Sequence, residues 1–247
     1  MLQLHAVGPG KIRLLYDGSA GAAPVAVDAF QLMVRPVTNR EFLQFVSDHP
    51  RWQRGNATAL FADAGYLSHW QGPIELGADA RPEQPVVRVS WFASKAFCQA
   101  YGLRLPTEAE WELAAAADDR KADARQDPAF RERILKWYSQ PLAILPDVPV
   151  GAANVWGIKD LHGVVWEWVY DFNNNIVRGD SRDRRDGETA EFCGGSSLNA
   201  NDTTDYPSFM RYAFRGSLTG SSTAGSLGFR CAADAVRRPL KRGEARR

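Results

Sequence analysis

The sequence is poor in the residues that thiol and metal sites most often need. Its 247 residues include three cysteines and four histidines. Cys98, Cys193 and Cys231 form neither a CxxC pair nor a zinc-binding pattern. Two interpretations stay open from the cysteines alone. Either all three are buried thiols, or two form a disulfide and one is free, which would imply an oxidising compartment.

The sequence also lacks a strong charge of either sign and a long apolar run. With a formal net charge of +1, it has no broad basic surface for nucleic acid. No apolar run approaches the roughly 20 residues that span a bilayer, so we expect no membrane insertion. The first residues show no secretory signal. We expect a periplasmic or secreted protein if a disulfide forms and a signal peptide was removed, and a cytoplasmic one otherwise.

Two helix starts stand close together between residues 86 and 117. Ser90 can cap a first helix, and Gly102 can end it with a positive φ angle. Thr107 and Glu110 form a capping box for a second helix. Apolar residues follow both starts at helical spacing, which predicts a two-helix core.

The rest of the chain predicts short elements separated by long turns. A capping box at Thr38 and Glu41 predicts a helix through Val46, and another helix is expected over residues 128–138. We expect one domain over residues 1–234 and a basic, disordered tail over 235–247. The segments with β-forming or alternating residues are predicted strands: residues 2–7, 11–16, 25–32, 192–197, 210–218 and 227–233.

Several motifs, in this order, resemble the formylglycine-generating enzyme, or sulfatase-modifying factor, family. The motifs are PVTNREFLQF (36–45), RVSWFASKAFCQAYGLRLPTEAEWELAAA (88–116), GIKDLHGVVWEWVYD (157–171), CGGSS (193–197) and LGFRCAAD (227–234). The resemblance implies a compact, loop-rich α+β domain with a C-type-lectin-like fold and little regular secondary structure. It also implies that Cys98 and Cys231 form a disulfide, which would leave Cys193 as the odd thiol.

The family's copper oxidases carry a cysteine pair after the GGS motif, and this sequence departs from them there. Asn199, Ala200, Asn201 and Asp202 follow instead, and no cysteine occurs between Cys193 and position 231. Amide and carboxylate groups are poor ligands for Cu(I), so no copper is expected.

The family's iron-dependent sulfoxide synthases use a histidine-rich site. The histidines here, at positions 5, 49, 69 and 162, show no local iron-binding pattern.

The resemblance places the family's groove around a polar segment late in the chain. The groove could bind a polypeptide or a small polar ligand. In the alternative interpretation this segment is a solvated loop whose arginines form structural ion pairs. The groove candidates are Ser196, Asn199, Asp202, Asp205, Arg211, Arg215 and Trp168.

The resemblance also suggests a calcium site at the sequence GVVWEW. Gly163 and Val165 would supply backbone carbonyls and Glu167 a carboxylate, which are the hard oxygen ligands that Ca²⁺ prefers. The alternative is a core glutamate paired with an arginine. His162 is predicted to have a structural hydrogen-bonding role, since no nucleophile lies beside it in the sequence.

These patterns favour a monomeric accessory or maturation protein of the family that works without copper. Whether it catalyses a reaction is left open. One alternative is an oxidoreductase that uses another metal or Cys193. The other is a ligand-binding, display or inhibitor module on the lectin-like scaffold.

Overall fold

The structure is a computed structural model that describes residues 2–15, 23–140, 142–172 and 205–235. It shows the expected α+β fold, in which short helices and strands are joined by long turns. No helix among the described residues is both long and apolar enough to cross a membrane. The strands are β1 (Leu4–Val7), β2 (Gly10–Ile12), β3 (Val25–Val27), β4 (Phe30–Met33), β5 (Trp166–Glu167), β6 (Leu227–Gly228) and β7 (Ala232–Asp234). The helices are α1 (Asn39–Asp48), a 3₁₀ turn (Pro50–Trp52), α2 (Trp91–Ala100), α3 (Glu108–Ala115), α4 (Pro128–Ser139) and α5 (Tyr206–Gly216).

The main sheet joins the beginning of the described chain to its end. Strand β4 lies between β1 and β7, and both pairings are antiparallel. Strands β2 and β3 form a separate antiparallel pair, which contacts α3. Strands β5 and β6 pair in parallel, with Glu167 opposite Gly228. Strands that are far apart in the sequence therefore pair with each other and hold the two ends of the domain together.

The helices begin where the local capping residues predict. Thr38 accepts a hydrogen bond from the Glu41 backbone at 3.3 Å, and the Glu41 carboxylate accepts one from the Thr38 backbone at 2.9 Å. Thr107 and Glu110 repeat this capping box at the start of α3. Ser90 caps α2 through the backbone N–H of Ala93. Each cap satisfies amide groups that a helix N-terminus leaves unpaired.

Aromatic side chains form the core between α1, α2 and the last strands. The Phe42 ring stacks on Phe97 with 5.8 Å between centroids and meets the edges of Phe229 and Trp70. The four rings are at most 1% exposed. Such tilted and offset contacts are the arrangements that aromatic quadrupoles favour.

The predicted pairing of Cys98 and Cys231 is confirmed. The two residues form a disulfide, with 5.6 Å between their α-carbons, and both are fully buried. The bond joins the last turn of α2 to the residue just before β7. It therefore ties the central helix to the edge of the main sheet.

Three of the predicted strands differ from the structure in type or in number. Residues 210–218 lie mostly in helix α5, because Asp205 caps a helix and Pro207 fits its first turn. The buried side chains of this helix include Ser208, Arg211 and Arg215, a helical spacing carried by polar residues rather than apolar ones. Residues 25–32 and residues 227–233 each form two strands instead of one. The predicted strand at 192–197 and the tail lie outside the described residues.

Candidate functional site

The predicted groove residues are only partly covered by the structure. Ser196, Asn199 and Asp202 lie outside the described residues, as does Cys193. Asp205 caps α5 by accepting hydrogen bonds from the backbone N–H of Ser208 at 3.2 Å and from its hydroxyl at 2.7 Å.

Trp168, the remaining aromatic candidate, is a core residue. It is 1% exposed, and its indole N–H donates to the Val89 carbonyl at 2.8 Å. Its ring could reach a ligand only if neighbouring core residues moved.

Arg211 and Arg215 lie in a buried ion network with Glu108 and Glu112 that joins α5 to α3. The Arg211 guanidinium donates to the two Glu112 oxygens at 2.9 and 2.6 Å. Arg215 donates from one nitrogen to Glu108 and to Glu112, both at 2.9 Å. All four side chains are at most 6% exposed. This geometry corresponds to the structural alternative of the sequence analysis, while a ligand contact by these arginines stays a prediction.

The two carboxyl groups of the buried ion network have opposite pKa shifts. Burial alone would raise the pKa of Glu112, but Arg211 and Arg215 outweigh it and lower that pKa to about 2. For Glu108, burial dominates over the attraction of Arg215 and raises the pKa to about 7. Glu108 is therefore a buried carboxyl group that can take up or release a proton near neutral pH.

An aromatic layer covers the buried ion network. The Trp166 ring stacks on Tyr138 at 4.7 Å and lies 4.6 Å from Phe214, measured between centroids. Trp111 lies beneath, with the Arg215 guanidinium 4.9 Å from its ring centre. The space enclosed here is about 10 Å³, enough for roughly one water molecule. The layer is therefore packed rather than open to a ligand.

The sequence analysis missed the acidic half of this network. Glu108 and Glu112 are one helical turn apart on α3, so their spacing shows that they share a face. Nothing local shows that this face is buried, because the partner arginines come about 100 residues later in the sequence, at separations of 99 and 107. Tyr138, which accepts a hydrogen bond from Arg211 at 3.1 Å, gives no sequence signal.

The residues of the suggested calcium site do not offer a free carboxylate. The Glu167 oxygens accept hydrogen bonds from the Arg230 guanidinium at 2.7 to 3.0 Å and from the Trp111 indole at 2.7 Å. Gly163 has a φ angle of 99°, and Val165 is buried. A calcium ion bound to Glu167 would have to displace Arg230, so the set as it lies fits the glutamate–arginine alternative better.

His162 lies against the same core. Its Nε2 is 2.9 Å from the Ala115 carbonyl, and its ring meets Trp111 and Phe130 edge to face, each at 5.8 Å. Burial, together with Arg211, lowers the pKa of His162 to about 3, so the ring is neutral at neutral pH. Among the described residues, no group of three or more histidine, cysteine, aspartate or glutamate side chains could hold a metal ion.

Comparisons with known proteins cover nearly the whole described chain. The family profile described as sulfatase-modifying factor enzyme 1-like domain matches residues 5–235. A formylglycine-generating enzyme of Streptomyces coelicolor is 35% identical over 262 residues, which cover 89% of this chain and 82% of the relative. The inactive Cα-formylglycine-generating enzyme 2 of Bos taurus is 29% identical, with 90% and 83% covered.

A further relative and a solved structure share less with this chain. The hercynine oxygenase of Mycobacterium tuberculosis is 33% identical over 173 residues, which cover 62% of this chain but only 40% of that protein. The structure of PvdO from Pseudomonas aeruginosa covers 94% of both chains, with a TM-score of 0.53 and 19% identity. At that identity the likeness concerns the fold alone.

Proposed function

This chain belongs to the sulfatase-modifying factor family, and we propose that it is an accessory or maturation member that works without the family's copper. It would bind a polypeptide or a small biosynthetic intermediate in the groove. It would not oxidise a sulfatase cysteine to formylglycine.

The cysteine count carries this proposal. A Cu(I) site of the family type needs two thiolates, because soft sulfur ligands hold that ion. The chain has three cysteines, and the disulfide between Cys98 and Cys231 uses two of them. Cys193 is then a single thiol, and residues 199–202 offer only amide, methyl and carboxylate side chains. A thiolate pair would require the buried disulfide to be reduced and pulled apart.

The anchoring of α5 supports a binding role. The polar candidates Ser196, Asn199 and Asp202 precede this helix, and the chain enters it at Asp205. The buried ion network holds the helix against α3 by charge-assisted hydrogen bonds, which are stronger than neutral ones. A polar segment that ends on a rigid element is a common way to present binding residues.

Membership of this family does not by itself imply formylglycine formation. One relative that covers 90% of this chain is named an inactive formylglycine-generating enzyme. The same scaffold can therefore lack that activity, as is common for widely used folds.

A Cu(I) titration against a competing chelator tests the proposal, with a copper-loaded formylglycine-generating enzyme as the positive control. We expect no tight one-to-one site in this protein and no formylglycine on a sulfatase peptide. Peptide mapping after the titration must show that the reductant left the Cys98–Cys231 bond intact. A tight site that disappears in Cys193→Ala would overturn the proposal.

Elemental analysis of protein purified without chelator distinguishes the oxidoreductase alternative from the accessory role. Stoichiometric iron or another transition metal would favour an oxidoreductase over an accessory protein.

Co-purification tests the binding role. We expect the protein to co-purify with a polypeptide or a small molecule, and we expect this companion to be lost when Asn199 and Asp202 are both replaced by alanine. Loss of the companion in a matched Arg40→Ala variant would show that the capture is unspecific.

A further inference from the structure

Two arginines lack the carboxylate partner that six other buried or half-buried arginines of the described chain have. Arg54 and Arg88 are half-buried, and neither has a carboxylate within ion-pair distance among the described residues. Charged groups removed from water are normally paired. The buried or half-buried arginines that do pair with carboxylates are Arg35, Arg104, Arg125, Arg211, Arg215 and Arg230.

A histidine, His69, lies between the backbone contacts of these two arginines. The backbone N–H of Leu67 donates to the Arg88 carbonyl at 2.9 Å, and the Arg54 guanidinium donates to the Trp70 carbonyl. His69 lies in the turn between Leu67 and Trp70. Both of its ring nitrogens are buried and have no hydrogen-bond partner in the part of the chain that the structure describes. A buried polar group left in this way destabilises the folded state unless a ligand or water satisfies it.

The backbone holds Arg88 in an unusual conformation. Leu67 and Arg88 have φ angles of 46° and 54°, in the left-handed region that non-glycine residues seldom adopt. The Arg88 N–H donates to the Ala224 carbonyl at 3.1 Å. Its guanidinium lies against Gly225, where a Cβ atom would come within 3.3 Å of Nη2. Strain of this kind often marks a functional site.

The charges around His69 are predominantly positive. Burial, followed by the charge of Arg88, lowers the pKa of His69 to about 4, with Arg54 acting in the same direction and Asp79 opposing both. The imidazole is therefore neutral at neutral pH and offers one N–H donor. Asp79 is exposed, so water screens its charge.

We propose that Arg54, His69 and Arg88 form a binding site for an oxoanion group, either a carboxylate or a tetrahedral sulfate or phosphate. Guanidinium groups bind such oxygens through paired N–H donors, and the imidazole supplies a further donor. The residues lie in the loop after α1 and before α2, outside the predicted groove. The site therefore stands whether or not the accessory function is correct.

A titration of the wild-type protein tests the site directly. The ring resonances of His69 are followed by NMR as sulfate, phosphate or acetate replaces chloride at constant ionic strength. We expect a saturable shift at His69 and none at His49. Saturation with sulfate or phosphate alone assigns a tetrahedral anion, and saturation with acetate alone assigns a carboxylate. A linear drift equal for all anions would overturn the proposal.

Matched variants attribute the binding to the arginines. In Arg88→Gln we expect anion affinity to fall at least about tenfold, which corresponds to roughly 1.4 kcal/mol. Arg40→Gln, which removes the same charge from an exposed pair with Glu83, should leave the affinity unchanged. Arg54→Gln replaces Arg88→Gln if the latter fails to fold. Unchanged affinity in a folded variant of either arginine would contradict the site.

Discussion

At the scale of single residues, Glu167 and Arg230 show that the most deeply buried charges among the described residues are paired. The side chains of Glu167 and Arg230 are 0% exposed and 2.7 Å apart, and Arg230 also donates to the carbonyls of Met33 and Val34 at 3.1 and 3.3 Å. The pair thus connects β5 to the loop after β4. Because both charges are out of water, each is costly without the other.

Glu167→Gln should therefore destabilise the protein by about 3–5 kcal/mol, since Arg230 would be left buried without its counter-charge. Chemical denaturation of the variant and the wild type measures this. Arg40→Gln, at an exposed pair, is the control and should change stability by about 1 kcal/mol or less. The loss should be the same with EDTA and with calcium. EDTA sensitivity that is present in the wild type and absent from Glu167→Gln would instead make Glu167 a calcium ligand.

At the scale of elements, the sequence predicted best what local contacts decide. Helices α1, α2 and α3 begin directly after their N-cap residues Thr38, Ser90 and Thr107, because each cap acts within three residues of its own position. Helix α5 was missed because its buried face carries arginines, which satisfy no apolar pattern. The acidic residues that make this face a core face are distant in sequence, so no local rule shows the pairing.

Arg211→Ala should destabilise the protein by about 3–5 kcal/mol, because Glu112 would lose its bidentate partner in the core. Thermal or chemical unfolding measures the effect. Arg133→Ala, an exposed position on α4, provides the control. If Arg211→Ala instead kept its stability and lost a client, Arg211 would contact a ligand, as the groove interpretation predicts.

The protonation of Glu108 links the docking of α5 to pH. Its folded-state pKa of about 7 lies above the ordinary value of 4.5, so between these two pH values the native state binds more protons than the unfolded chain. This contribution to the free energy of unfolding is complete below about pH 4.5 and is lost as the pH rises through 7. His69 and His162, whose pKa values are lowered, act in the opposite direction at acidic pH.

Because the two histidines oppose it, the contribution of Glu108 to the free energy of unfolding is measured by comparing the wild type with a variant that lacks this carboxyl group. In Glu108→Gln, the free energy of unfolding should fall less steeply, or rise more, between pH 4.5 and 7 than in the wild type. Denaturant unfolding at several pH values measures both slopes. Parallel curves would show that Glu108 has no raised pKa in the folded protein.

At the scale of the whole molecule, the fold was predicted from motif order, while the site was predicted only in part. The motifs fixed by local chemistry, such as the capping box at Thr107, also carry the family resemblance. The disulfide pairing came from that resemblance alone, because three cysteines permit three pairings by sequence. Burial of the arginines could not be predicted, since it depends on how α3, α4 and α5 pack together.

The disulfide joins residues 133 positions apart in a chain of 247, so it closes a loop of about half of the unfolded chain. Loop-closure entropy gives such a bond about 4–5 kcal/mol at most. Replacing both Cys98 and Cys231 by alanine should lower the free energy of unfolding by about 2–5 kcal/mol, because the two sulfur atoms also leave small voids in a fully buried site. Denaturant unfolding measures this, with Cys193→Ala as the control that keeps the bond. Peptide mapping without reductant must recover the Cys98–Cys231 peptide from wild type and from Cys193→Ala, and any linkage that includes Cys193 would contradict this pairing.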